Sequence, residues 1–311
     1  MSGPVAARHL TVCADDYGMN DAVSQAIRDL AVAGRVSATS CMANAPDWRE
    51  AAKDLAHLPL ARAENGIQGW APASAGVSGE GAANVPVEHS GRIGIGLHLT
   101  LSWGAPLGPM PRLAPGGAFP PLRTLLRASL SGRLELGEIR AEIERQIDAF
   151  CAALGRPPDF VDGHQHVHVL PGIRRPLIAA LARRGWAGRL WLRDPSDTVA
   201  AILARRLAAG KALFVATLAA GFRREARRAG FDTNEGFSGF GPFDPARNPA
   251  ADMARYLTRP GPRPLVMCHP GHAEPVDPTD AIAAARVREY EYLASEEFPA
   301  LLARMGLQIT V

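Results

Sequence analysis

The sequence predicts a single (β/α) barrel of the TIM type, distorted, spanning residues 1–311 and carrying one flexible inserted loop at about 62–92. Three observations predict it. Short apolar, β-prone runs alternate with longer stretches of helical periodicity along the whole chain, a pattern that builds mostly parallel sheet. Titratable side chains recur where those runs end, and the C-terminal strand ends of a parallel barrel open onto one face, where active sites form. No internal repeat of solenoid period interrupts the alternation.

The elements follow in order. His9 to Ala14 is a first strand, cut off by Asp15-Asp16-Tyr17-Gly18. Asn20-Asp21 caps a helix from Ala22 to Ala33, with Val23, Ala26, Ile27 and Leu30 at helical spacing. Val36 to Met42 is a second strand, and Asp47 caps a helix from Trp48 to about His57. Arg62 to Arg92 is rich in Gly, Ala, Ser and Pro, lacks periodicity, and is too long for an ordinary connection. It reads as an insertion, a lid or a disordered loop, in which His89 is exposed. Ile93 to Leu101 is a strand carrying His98, and a Pro/Gly-rich loop follows through Pro121. Leu122 to Leu130 and Glu135 to Leu154 are helical, the second with Glu142, Glu144, Arg145 and Asp148 on its polar side.

Val161 to Pro171 holds three alternating histidines, His164, His166 and His168, behind Asp162-Gly163. On an extended strand alternate residues share one face, so the three imidazoles are expected to point together. Burying each without a partner is costly, and histidine is the commonest metal-ligating side chain. A metal or catalytic role is therefore favoured over an exposed polar edge. A helix then runs through Arg184. Arg189 to Arg193 is a strand ending in Arg193-Asp194-Pro195, and helices span about Thr198 to Ala229. Gly230 to Phe243 is a Phe/Gly-rich strand-loop, Ala250 to Leu257 is helical, and Pro264 to Cys268 is a strand delivering His269-Pro270-Gly271-His272. Ala281 to Ser295 is helical and Leu307 to Val311 closes as a last strand.

Composition narrows the classes. A chain 47% hydrophobic and 21% charged can bury a large core, and a net charge of +3 shows no nucleic-acid stripe. Cys13, Cys41, Cys151 and Cys268 are far apart, which predicts free thiols in a reducing compartment and neither a disulfide frame nor a zinc knuckle. Met1 to His9 lacks the signal-peptide pattern, so the expected location is cytoplasmic. The most membrane-like run, Ala212 to Phe222 between Lys211 and Arg223, is far shorter than the roughly 20 residues a spanning helix needs. It reads as a buried or amphipathic helix. Nucleotide-phosphate loops and G-x-S-x-G are absent from the sequence.

The strand ends offer Asp15-Asp16, His98, the histidine triplet, Arg193 and His269. Two adjacent carboxylates repel unless a cation or proton separates them. One carboxylate with two imidazoles makes a facial ligand set that leaves positions open for water and substrate. A second carboxylate then serves as general base and another histidine as general acid, a set suited to hydrolysing an amide or ester. Isomerase, aldolase or phosphoesterase chemistry at a similar site is the alternative, and a non-catalytic sugar-binding protein a more remote one.

Four motifs, Ala14 to Gly18 (ADDYG), Gly96 to Leu101 (GLHLTL), Asp162 to His168 (DGHQHVH) and Cys268 to Gly271 (CHPG), together resemble the YdjC-like carbohydrate deacetylases. These include chitooligosaccharide deacetylases and hopanoid-biosynthesis deacetylases. The motifs stand in the family's order and span nearly the whole chain. The resemblance implies a barrel-like fold, a divalent metal ion, removal of acetyl groups from N-acetylated amino sugars, and a homodimer. Carried over, it implies Asp16, His98 and His164 as metal ligands and Asp15 as the general base. His269 is implied as the acid, or as a stabiliser of the oxyanion. His166 and His168 support His164 or line the sugar site, Asp162 orients the group, and Arg193 binds a substrate hydroxyl or carboxylate, supports the group, or forms a surface ion pair. Tyr17 departs from the family's commoner phenylalanine, and the 62–92 insertion stands where it would reshape the cleft. The family is described with magnesium, while two imidazoles and a carboxylate suit zinc, manganese, iron or cobalt better.

Overall fold

The computed structural model describes residues 8–58, 93–275 and 280–309. The insertion at 62–92, with His89, lies outside the described residues. Strands β1 (Arg8–Tyr17), β2 (Ala38–Cys41), β3 (Gly94–Leu99), β4 (Phe160–Gly163), β5 (Trp191–Leu192), β6 (Asp232–Thr233), β7 (Phe237–Ser238), β8 (Leu265–Cys268) and β9 (Leu307–Ile309) are joined through eleven α-helices among the described residues. All pair in parallel, in the order β6-β5-β4-β3-β2-β1-β8-β7, with β9 beside the start of β1. The two terminal strands, β6 and β7, are separated in sequence only by Asn234–Gly236. One extended segment therefore edges both ends of the sheet, pairing first with β5 and then with β8. That curls the sheet into the distorted (β/α) barrel expected from the alternation of strands and helices.

Local chemistry accounts for the elements. Helix α1 (Asp21–Val32) starts where the Asn20 side chain accepts from the Val23 N–H, and it buries Val23, Ala26, Ile27 and Leu30. Helix α2 is Trp48–Ala56 and α3 Leu122–Leu130. Helix α4 (Leu136–Leu154) ends at Gly155 in the left-handed conformation (φ 67°). Its Glu138 and Glu142 turn inward: Glu142 accepts from Leu107 N–H and Glu138 from Arg112 and Leu113 N–H, pinning the loop after β3. Glu142 thus departs from its expected place on a solvated face, because the loop's unpaired backbone donors need buried acceptors. Helix α5 is Arg174–Arg183, α6 Val199–Arg205, α7 Ala209–Leu218, α8 Phe222–Arg228, α9 Pro249–Tyr256 and α10 Ala283–Ala294. Helix α11 (Glu297–Arg304) was not expected from the sequence; its Pro299 falls in the first turn, where a missing N–H costs nothing.

The histidine segment departs most. It is not a strand: β4 stops at Gly163 and His164–Val169 forms a 3-10 helix, with Gln165 (φ 53°) and His166 (φ 61°) left-handed. Two such residues in succession turn the chain and abolish the alternation that would align the three imidazoles. Gly163 permits the turn, since a Cβ there would lie 3.0 Å from the Leu99 carbonyl and 3.1 Å from His168 N. Gly96 has a comparable role in β3: a Cβ would sit 2.4 Å from the Phe160 ring, which packs against the strand carrying His98.

Candidate active site

The site lies where β1, β3, β4, β5 and β8 end. Asp16 is itself left-handed (φ 72°), and the β1–β2 register shifts between Ala14 and Tyr17. In a regular strand neighbouring side chains point to opposite faces. This irregularity lets both carboxylates of Asp15-Asp16 reach the barrel mouth, each to a different partner, and both are almost fully buried.

Asp16 Oδ1 stands 2.9 Å from His164 Nδ1 and 3.3 Å from His98 Nε2. The three donor atoms all lie within 4.8 Å of one another. First-row metal bonds of about 2.0–2.2 Å place adjacent ligand atoms about 3 Å apart, so the spacing fits a shared divalent cation. The chemistry of the donors fits as well. In register on β3 and β4, His98 is paired with Asp162, and His98 Nδ1 lies 2.7 Å from Asp162 Oδ1. Ser40 Oγ donates a short hydrogen bond to the same oxygen. With Nδ1–H donating to Asp162, the Nε2 lone pair faces the Asp16 carboxylate, acceptor against acceptor, and only a proton or a cation reconciles them. Burial opposes a charge on His98, but Asp162, aided by Asp16, outweighs it and lifts the imidazole to about 10. Burial likewise pushes Asp16 up, and Arg286, His164 and His98 more than offset it, holding the carboxyl well below the usual range.

Arg193 is fully buried. Its guanidinium bonds both oxygens of Asp15 (2.6 and 2.7 Å) and reaches Asp162 Oδ2 at 2.6 Å and Cys13 Sγ at 2.8 Å. The Cys13–Asp15–Asp162 cluster thus already encloses a cation, the arginine. An Arg193 reaching out to substrate hydroxyls, or pairing at the surface, is excluded by that burial; its place is between the two carboxylates. Asp162 joins His98 to Arg193 and does not orient His164. Burial disfavours its charge, and Arg193 and His98 reverse this, holding it below the usual carboxylate range.

His168 is buried, with Nε2 2.8 Å from the Arg193 carbonyl and its ring edge-on to Phe222. His166 packs edge-on against Phe237 and Phe240. Neither supports His164 directly. Burial, the first cause in each case, drives His166 down and His168 to about 4, so both are neutral. His269, at the end of β8, stacks edge-on against Phe243 and has a buried Nδ1 without a hydrogen-bond partner among the described residues. Burial outweighs nearby Asp16 and Asp15 and brings His269 to about 4.

Three contributors escape the sequence. Arg286 of α10 bonds Asp16 Oδ2 at 2.7 Å and Asp280 at 2.6 Å. Glu289, one turn on, accepts the His269 backbone N–H at 2.5 Å. Ser40 completes the Asp162 oxygen. Arg286 and Glu289 look like ordinary helix charges in one dimension, and no spacing signal singles them out.

A model of the YdjC-like protein family matches residues 9–304. The chain is 30% identical, over a 331-residue alignment, to a carbohydrate deacetylase of Homo sapiens, covering 96% of this chain and 88% of that protein. It is 33% identical over 174 residues to a chitooligosaccharide deacetylase of Yersinia pestis, 56% of this chain and 55% of that one. A crystal structure from Enterococcus faecalis V583, provisionally named a cellobiose-phosphate cleavage protein, superposes with a TM-score of 0.65 at 20% identity. It covers 98% of this chain and 97% of that one, a likeness of fold alone.

Proposed function

The chain belongs to the YdjC-like protein family, and from that premise we propose that it is a metal-dependent hydrolase removing acetyl groups from N-acetylated amino sugars. The observation that carries this reading is the convergence of Asp16 Oδ1, His98 Nε2 and His164 Nδ1 beside a second buried carboxylate, Asp15. Those three residues would hold the ion. When bound, a divalent cation supplies Lewis acidity, polarising the amide carbonyl and making water a competent nucleophile near neutral pH. Two imidazoles and one carboxylate favour zinc, manganese, iron or cobalt over magnesium.

The chain's own groups do the rest. Asp15 takes the proton from the attacking water and returns it to the departing nitrogen as the C–N bond breaks, and Arg193, bonded to both its oxygens, fixes its orientation. His269 rests neutral, so it enters as a hydrogen-bond donor to the oxyanion or the departing nitrogen and holds no stored proton in the free enzyme. Phe243, partly exposed beside His269, offers an apolar face to a pyranose ring. Four free cysteines fit a reducing compartment, and we place the reaction in the cytoplasm.

The test is acetate release from N-acetylglucosamine oligomers and N-acetylated glycolipids by protein loaded in turn with zinc, cobalt, manganese and magnesium. Acetate formation abolished by chelator and restored by metal is the expected result. Release of phosphate or a new carbonyl from a broader panel, without acetate, would replace this reading with another reaction class.

A further inference from the structure

Val199, Leu203 and Phe214 are, with Leu130, the most exposed large apolar side chains among the described residues, at 59%, 53% and 51%. All three lie on the α6–α7 pair. Val199 and Leu203 are one turn apart on α6, and Lys211, Phe214 and Leu218 share a face of α7 by their i, i+3 and i+4 spacing. That face borders the site: the Lys211 ammonium stands 4.6 Å from the centre of the Phe243 ring, which also packs edge-on to the His269 ring at 5.2 Å.

The charge on this excursion is one-sided. Between residues 199 and 228 there are seven cations, Arg205, Arg206, Lys211, Arg223, Arg224, Arg227 and Arg228, and one acid, Glu225. Arg205, Arg223 and Arg227 are bound to Asp197, Asp194 and Glu235. Glu225 is taken by Arg174 and Arg175 from α5. Arg206, Arg224 and Arg228 are exposed and, like Lys211, have no carboxylate partner among the described residues, while the Lys211 ammonium lies over the Phe243 ring, where burial lowers its pKa. Exposed apolar side chains gain burial at a membrane interface, and nearby unpaired cations add attraction to anionic lipid. At ten residues α7 is far too short to span a bilayer. A second copy of this chain docking face to face would set these unpaired cations against their own kind.

We propose that the α6–α7 face docks on an anionic lipid bilayer, seating the mouth of the site against the headgroups. Val199, Leu203 and Phe214 enter the interface while Arg206, with Arg224 and Arg228 of the adjoining α8, meets lipid phosphates. The site would then draw its substrate from the membrane surface or from amphiphiles gathered there.

The test is sedimentation of the full chain with phosphatidylcholine vesicles, with and without phosphatidylglycerol. Binding is expected only to the anionic vesicles and is expected to weaken as salt rises. The double variant Leu203→Ser/Phe214→Ser, at exposed positions that leave the core intact, is expected to lower partitioning at least tenfold with an unchanged circular-dichroism melt. Arg206→Ser/Arg224→Ser is expected to flatten the salt dependence. Equal binding to both vesicle types, or apolar variants that bind like wild type, would overturn the proposal. So would a solution dimer split by Leu203→Ser/Phe214→Ser, which would assign the face to a second copy. The readout is vesicle binding and does not depend on the deacetylase reading.

Discussion

Arg286 caps Asp16 Oδ2 at 2.7 Å, leaving Oδ1 to face both His98 and His164. One oxygen is engaged by the protein and the other by the ligand set, so Asp16 is held in a monodentate presentation. Asp280 grips the same guanidinium, and both carboxylates are buried against it. Replacing one member of a buried charge cluster strands the others, at a cost of roughly 3–5 kcal/mol. Arg286→Met is therefore expected to lower the melting temperature of the metal-free protein. Added zinc, by neutralising Asp16, is expected to raise that temperature more in the variant than in wild type. Equal or smaller metal-induced shifts in differential scanning calorimetry would show that Arg286 does not act through Asp16.

Asp162 fixes the His98 tautomer from behind and anchors Arg193. Loss of such a supporting carboxylate commonly costs 10–100-fold in metal affinity. Asp162→Asn is expected to weaken zinc binding by that range in a chelator-competition titration, with Ser40→Ala giving a smaller effect in the same direction. Undiminished zinc affinity in Asp162→Asn would mean that His98 is oriented by the β3 backbone alone.

Asp15 touches Arg193 and is not among the three converging donors. Asp15→Asn is thus expected to cut kcat by about 10²–10⁴, the usual contribution of a positioned base, while leaving zinc affinity within a few-fold of wild type. Asp16→Asn is expected to lose both. If the two variants lost zinc binding equally, the division of labour between the adjacent carboxylates would fail.

The barrel was legible because strand–helix alternation is a local, periodic signal, and outside the histidine segment the elements from α1 to β8 sit within a few residues of where that signal places them. Asp15, Asp16, His98, the histidine triplet and His269 stood out by chemistry, since carboxylates and imidazoles at the ends of apolar runs need partners, while only the family resemblance singled out His164 within the triplet. The histidine triplet misled because alternation implies a shared face only on a strand, and two left-handed residues, Gln165 and His166, break that premise. Arg193 carries no mark of its burial, since nothing in RLWLR distinguishes a guanidinium between two carboxylates from one in water. Arg286 and Glu289 reach the site only by folding α10 against the β1 and β8 ends.

Glu289 gives the pH prediction. Burial, only partly countered by the His269 N–H and Arg286, raises its carboxyl from 4.5 to about 7. Between those values the folded state holds a proton that the unfolded chain has released, so the unfolded state binds fewer protons and stability falls as pH rises. The contribution is fully present below about 4.5 and lost once pH passes about 7. At 1.36 kcal/mol per pKa unit, ionised Glu289 costs on the order of 3 kcal/mol at pH 8. Glu289→Gln keeps an oxygen to accept the His269 N–H and removes the titration. It is therefore expected to be more stable than wild type at pH 8 and near equal at pH 4.5, in urea denaturation followed across that window. A stability difference independent of pH would place the Glu289 proton elsewhere.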